Sequence, residues 1–398
     1  MVFYFIAAIY LLIYVYIARR VLFWLKAISG VFNKIWVKII FYFFFITILA
    51  GLPLLSFFVP STEKTLFLKT ISNYWFGGFL YTVLVILFID LLRLIGKLTK
   101  ITKKEIFQTR KAKVITGLLG LVTILSVCFY GVYHARVVNV KHYDFQISKT
   151  IGSISGITIA LVSDLHLGHN IGVSQLEEIV EKVNDMDADI VCLAGDIFDN
   201  DYEAVKDPDR VIQLFKNFKS KYGVYACFGN HDVDYDILGG FQVSERKTQI
   251  DDNRMSELLE KAEVTLLRDE TVLVNNEFYV TGRLDYRPIG ILNPSRKTAE
   301  LLLSDLNKTR PIIVLDHQPS DLEALRQNGA DVVLSGHTHD GQLFPGNLIV
   351  RMINKNGYGY LKDGNMHSVV TSGAGLWGPY MRVGTDCEVV SIRVGFAQ

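Results

Sequence analysis

The stretch Ile157–Asp164, ITIALVSD, runs for seven residues without a charge and then stops on a carboxylate. The same grammar returns in ADIVCLAGD (188–196), VYACFGNHD (224–232), PIIVLDHQP (311–319) and ADVVLSGHTH (330–339). Short runs rich in β-branched residues read as strands. Strands that are apolar throughout are buried on both faces, so this region is predicted to be α/β, its sheets covered by helices. Helical stretches lie between the runs, and Ser174–Glu177 and Ser320–Glu323 both fit the S-x-x-E box that opens a helix. In open sheets of this kind chemistry gathers beyond the strand ends.

Those ends carry metal-binding side chains: Asp164 and His166, Asp196, Asn230 and His231, His317, and finally His337 and His339. Each piece alone has a plainer reading, since D-x-H is commonly a capped turn and G-N-H a tight one. Five segments delivering carboxylate, amide and imidazole groups from equivalent positions point instead to one site. His337 and His339 lie two apart, so both point the same way if the backbone is extended. A mixed oxygen and nitrogen set suits Mn, Fe or Zn better than Ca or Mg.

The motifs SDLHLG, GDIFD, GNHD, DHQP and SGHTH, in this order over about Ile157–Val394, are similar to those of the calcineurin-like metallophosphoesterase superfamily. The DHQP form, with GQLFP and SGAGLWGPYMRVG further on, most resembles the small bacterial membrane-associated phosphoesterases of that superfamily. The resemblance implies a four-layer domain of two mixed β-sheets flanked by helices. It also implies a pair of divalent ions: Asp164, His166 and His339 on one, Asn230, His317 and His337 on the other, and Asp196 bridging them. His231 is then the candidate to steady the phosphate or protonate the departing oxygen. Where such proteins often carry a Pro-Glu pair, this chain has Asp386, Cys387 and Glu388. Asp199 and Asp316 are candidates to hold the second ring nitrogen of a ligating histidine, and Arg283, Arg287 and Arg382 to meet further phosphate charge, although surface ion pairing suits these arginines as well.

The first third is a different material. Residues 1–139 hold 16 Lys and Arg against Glu63, Asp90 and Glu105, a balance of +13, while the remainder holds 25 against 37, a balance of −12. Apolar runs near 2–17, 37–59, 74–95 and 114–133 approach or exceed the ~20 residues that cross a bilayer, so 1–139 is predicted as four transmembrane spans and 140–398 as the catalytic domain. A cleaved leader is the rival for the first run, but Arg19 and Arg20 follow it rather than precede it. Asp90, the one carboxylate within a run, has Arg93 a turn away and reads as an ion pair. Lys and Arg crowd the first and third loops and are sparse in the second, which predicts a multi-pass plasma-membrane protein with its catalytic domain outside the cytoplasm.

These features narrow the function. Cys128, Cys192, Cys227 and Cys387 form no close pairs and read as small core residues. A domain balance of −12 argues against nucleic acid as partner, and no H-E-x-x-H motif of a zinc peptidase occurs. The expected activity is hydrolysis of a phosphoester, phosphodiester or pyrophosphate bond at the membrane, on a phosphorylated small molecule, a lipid head group or a nucleotide-linked lipid. The competing reading is an inactive metal-binding scaffold of the same fold.

Overall fold

A computed structural model describes residues 2–56, 63–100, 108–152, 154–168, 170–200, 202–232, 237–238, 241–242, 253–285 and 296–397. Arg287, Lys103, Lys104 and the end of the second predicted span, 57–59, lie outside them. The chain divides into two compact units, Met1–Val132 and Tyr133–Gln398.

The first unit is helical: α1 (Val2–Ile28), α2 (Ile35–Phe43) continued by a π-turn into α3 (Gly51–Leu55), and α4 (Glu63–Leu98), with α5 (Arg110–His134) leading on into the second unit. Among the described residues, four stretches are long and apolar enough to cross a membrane, Ala7–Ile28, Ile35–Leu55, Phe67–Leu98 and Arg110–His134. The first departs from the sequence reading, which ended it at residue 17. The helix runs on through Arg19 and Arg20 because Arg20 forms an ion pair with Asp90, and Arg93 holds the same carboxylate at 3.1 Å. Tyr16 donates its hydroxyl to Asp90 at 2.5 Å. Leu118, Leu119, Leu125 and Phe129 of α5 face outward, as lipid-facing residues do.

The second unit holds two six-stranded sheets. Sheet one contains β1 (Val138–Ile147), β2 (Gly156–Val162), β3 (Ile190–Ala194), β4 (Val224–Cys227), β7 (Thr265–Leu266) and β14 (Cys387–Phe396), in the order β1-β14-β2-β3-β4-β7. Sheet two contains β8 (Glu270–Val274), β9 (Phe278–Gly282), β10 (Ile312–Leu315), β11 (Val332–Ser335), β12 (Gly359–Asp363) and β13 (Met366–Val370), in the order β12-β13-β11-β10-β9-β8. A short hairpin, β5 (Ile237–Leu238) and β6 (Phe241–Gln242), stands apart. Both sheets are mixed, with β14 antiparallel to β2 and β12 antiparallel to β13 within otherwise largely parallel neighbours.

The twofold alternation of strand side chains builds the layers. Ile159, Leu161, Cys192, Ala194 and Cys227 pack across to Ile313, Leu315, Val332 and Leu334, sheet on sheet. Their neighbours Ala160, Val162, Val191 and Leu193 point the other way, onto α6 (Val173–Asn184), α7 (Pro208–Lys216) and α8 (Asn253–Lys261). Ile312, Val314 and Val333 do the same on the far side, toward α9 (Ala299–Leu303) and α10 (Leu322–Gln327). The result is the expected helix–sheet–sheet–helix stack. Cys192, Cys227 and Cys387 are buried core residues and Cys128 is half-buried; all four are free.

The two capping boxes do not form. Gly172 stands at the start of α6, which places Ser174 inside its first turn, and Glu177 turns outward to accept from Arg210 at 2.6 Å. At α10 the cap position falls to Asp321, whose carboxylate accepts from Arg283 at 3.0 Å instead of capping.

Candidate metal centre

The parallel register aligns the ends of β2, β3 and β4, pairing Val162 with Leu193 and Ala194 with Cys227. The residues just beyond these ends, together with those beyond β10 and β11, meet at one edge of the two-sheet core. There Asp164, His166 and His339 bring ligand atoms within 4.8 Å of one another, as do Asp196, His317 and His337. His166 Nε2 lies 3.1 Å from His339 Nε2, which itself lies 3.5 Å from Asp164 Oδ1. On the other side His317 Nε2 is 3.2 Å from Asn230 Oδ1 and 3.1 Å from Asp196 Oδ2. That same Oδ2 is 3.7 Å from His166 Nε2, so the Asp196 carboxylate stands between the two groups. All seven residues expected to hold metal are thus in one place, beside His231.

The local backbone is unusual. Asp164, His166, Asp196, His337 and His339 all have positive φ, between 47° and 71°. Each such conformation costs a non-glycine residue on the order of 1–3 kcal/mol and persists only where the surroundings impose it. It also changes the expected geometry of the HTH motif: His337 and His339 do not project alike from an extended strand but serve the two different groups. Glycines make room for these turns. A Cβ on Gly229 would stand 2.3 Å from Asp196 Oδ1, and Gly373, at φ +85°, lies against the Asp164 side chain.

Hydrogen bonds fix the donors. The Ala194 carbonyl lies 2.9 Å from His317 Nδ1 and accepts its proton, which turns Nε2 into the site, where a cation can take the place of its proton. Backbone amides of His231 and His337 donate to Asp196 Oδ1 (2.8 Å) and Asp164 Oδ1 (2.9 Å). Asp199 Oδ1 lies 3.5 Å from His166 Nδ1 and 3.8 Å from His231 Nδ1, a third group of potential ligands. Asp316 and the arginines do other work. Asp316 pairs with Arg283 at 2.7 Å and Arg296 at 3.0 Å. Arg283 is fully buried in that network, and Arg382, equally buried, donates to the carbonyls of His339, Ser372 and Gly375. Neither meets solvent phosphate.

Burial and charge act against each other here. Burial pushes His231 down to about 4 and His337 down to about 3, so both are neutral at physiological pH. Burial alone would raise Asp196, but His317 and His231 outweigh it and hold the carboxyl well below its ordinary range. Against burial, the carboxylates around His166 and His317 raise both imidazoles. Buried imidazoles and carboxylates with lone pairs aimed at one another at 3.1–3.7 Å are the donor chemistry of divalent transition ions. The residues fit such a pair of cations.

Asp232 is a residue the sequence reading passed over. It accepts from the amides of Gly229 (2.7 Å) and Phe198 (2.8 Å), tying the loop that bears Asn230 and His231 to the one that follows Asp196, and burial pushes it up to about 7. Its signal was present as the last letter of GNHD.

Residues 157–341 match the family model described as calcineurin-like phosphoesterase. The chain is 27% identical to a zebrafish (Danio rerio) "transmembrane protein with metallophosphoesterase domain", over 87% of this chain and 78% of that protein. It is 30% identical to an uncharacterized metallophosphoesterase of Campylobacter jejuni, over 60% of this chain and 59% of the other. A Chlamydia trachomatis UDP-2,3-diacylglucosamine pyrophosphatase is 23% identical over 52% of this chain and 71% of its own length. The chain therefore spans well under two thirds of the Campylobacter relative.

Proposed function

We propose, for a chain that belongs through residues 157–341 to the calcineurin-like phosphoesterases, that this phosphoester hydrolase cleaves a phosphodiester or pyrophosphate bond of a lipid head group or nucleotide-linked lipid at the membrane surface. The observation that carries this reading is the Asp196 carboxylate standing between two sets of imidazole and oxygen donors, in a chain that also has four helices fit to cross a bilayer. The name of the chlamydial relative, a lipid-linked pyrophosphatase, supports the substrate class.

In this reading Asp164, His166 and His339 would hold one divalent cation, Asn230, His317 and His337 the other, and Asp196 would serve both. When bound, such a pair supplies Lewis acidity and a nucleophile competent at neutral pH. The chain's own residues do the rest. His317, its Nδ1 proton committed to Ala194, presents Nε2 in a fixed direction. His231, neutral and beside Asp196, can donate its ring N–H to steady a phosphoryl oxygen; to protonate the departing oxygen it must first take up a proton, which the negative charge of a bound phosphate favours. The loop charges 19–38 and 93–113 support a plasma-membrane protein with its catalytic domain outside the cytoplasm, which an activity reporter fused after Tyr133 tests; a cytoplasmic signal overturns it.

The activity test is hydrolysis of bis-p-nitrophenyl phosphate by purified full-length protein with Mn, beside Asp196→Asn. Turnover by the wild type, abolished in a folded variant, supports the reading. A folded, metal-loaded wild type without turnover marks a scaffold instead. Comparing lipids and soluble phosphometabolites by mass spectrometry, in cells with and without the gene, tests the substrate class.

A further inference from the structure

The helix Gly346–Ile353, α11 here, begins five residues after Gly341, where the turn of His339 ends. It is amphipathic the wrong way round. Leu348, Ile349, Met352 and Ile353 are 51, 56, 84 and 74% exposed, while Asn347 is buried toward the protein. These four apolar residues fall at i, i+1, i+4 and i+5, one face of a helix. A surface helix of a soluble domain turns that face inward, so a face of this kind turned outward marks an interaction site.

Its surroundings indicate what it meets. Arg351, Lys355 and Lys362 stand on or just after the helix; Arg351 pairs with Asp340 and Lys355 with Asp363 and Glu323, while Lys362 is exposed. Long basic side chains beside an outward apolar helix face lay their stems along it and reach the head-group level of a lipid surface. The same chain has four helices fit to cross a bilayer, so lipid is always at high effective concentration around this domain. Phe344, just before the helix, is exposed, and Trp377 is half-buried in a loop whose Trp377 and Pro379 carbonyls accept from Gln342. Amphipathic rings of this kind settle at the head-group level.

The helix is also bound to the metal centre. Arg351 grips Asp340, next to His339, through two bonds of 2.9 and 2.7 Å. A Cβ on Gly341 would stand 2.2 Å from the Gly346 carbonyl carbon, so turn and helix are packed without slack. Where α11 goes, His339 goes with it.

We infer that the apolar face of α11 inserts into the lipid interface and sets the metal centre at head-group height, so that the preferred substrate is a phosphoester still seated in the leaflet. This rests on the proposed phosphoesterase activity for its second half only. Residue 352 carries the first half.

The test uses full-length protein in nanodiscs of equal parts phosphatidylcholine and phosphatidylglycerol. A polarity-sensitive fluorophore on Met352→Cys is expected to emit in the blue and to be quenched when the acyl chains are brominated. A water-exposed, unquenched label overturns the proposal. So does a shielded but unquenched label, or a disulfide-linked dimer through position 352, since either means a protein covers the face. In parallel, Ile349→Asp with Met352→Asp is expected to lower hydrolysis of a phospholipid presented in the nanodisc by about tenfold or more, the worth of burying one such side chain. Turnover of bis-p-nitrophenyl phosphate stays unchanged. Equal turnover of the nanodisc lipid by wild type and variant overturns delivery from the leaflet. If bis-p-nitrophenyl phosphate is not cleaved even by the wild type, the phosphoesterase reading fails while quenching still decides the docking of α11.

Discussion

Each unit of the molecule contains a carboxylate withdrawn from water among nitrogen groups, and the two are resolved in opposite ways. Asp90, in the helical unit, has Arg20, Arg93 and the Tyr16 hydroxyl around it. Its charge is answered within the protein. Asp196, in the catalytic unit, lies among His166, His231, His317 and His337, of which His231 and His337 are neutral. Its neighbours answer it only in part, and with protons that a cation can displace. A carboxylate ringed by guanidinium groups is finished, whereas one ringed by imidazoles still calls for positive charge from outside.

That contrast can be broken by experiment. The largest effect is expected at Asp196: replacement by Asn should lower turnover of bis-p-nitrophenyl phosphate by more than the roughly 10–100-fold typical of residues that only support a ligand, with bound metal, read by inductively coupled plasma mass spectrometry, falling alongside. His231→Gln should cost about a hundredfold in kcat, within the range for a lost proton-transfer group, but leave metal content intact; a loss of metal would make it a ligand instead. Asp199→Asn should weaken metal affinity by about tenfold, since its oxygen is 3.5 Å from His166 Nδ1.

Acidity should act through the same imidazoles. The carboxylates around His166 and His317 raise both above 6.5, so below their raised values each carries a proton that a cation must displace. Metal affinity should therefore weaken as pH falls toward and below 6.5, and level off once pH exceeds both values. Calorimetric titrations in two buffers of different ionisation enthalpy would count the protons released. The smallest effect on catalysis belongs to Asp90→Asn. It should leave turnover within about twofold yet remove about 1–3 kcal/mol, as an orphaned polar partner does, visible as a lowered thermal midpoint in detergent. A collapse of activity there would erase the contrast between the two carboxylates.

Much of the catalytic unit was legible in the chain because its information is local. Five apolar runs each end on a donor residue, and parallel strands of similar length bring such ends together. What escaped depends on partners distant in sequence. The first helix reads as ending at residue 17 because Arg19 and Arg20 look like a flank, and only the pairing of Arg20 with Asp90, 70 positions on, shows otherwise. Arg283 and Arg382 look available to phosphate until Asp316, Asp321 and three carbonyls claim them. Ser174 loses its capping role to a helix that starts two residues sooner. The left-handed backbone of the ligand positions has no signature in the ligands themselves, only in flanking glycines whose spacing gives no hint of direction.

The bent backbone at Asp164, His166, Asp196, His337 and His339 has a practical corollary. Sheets and glycine turns impose the shape of this cradle, so it is expected to outlast removal of its ions. Chelation should empty it without melting the domain, and a different divalent ion should refill it without refolding.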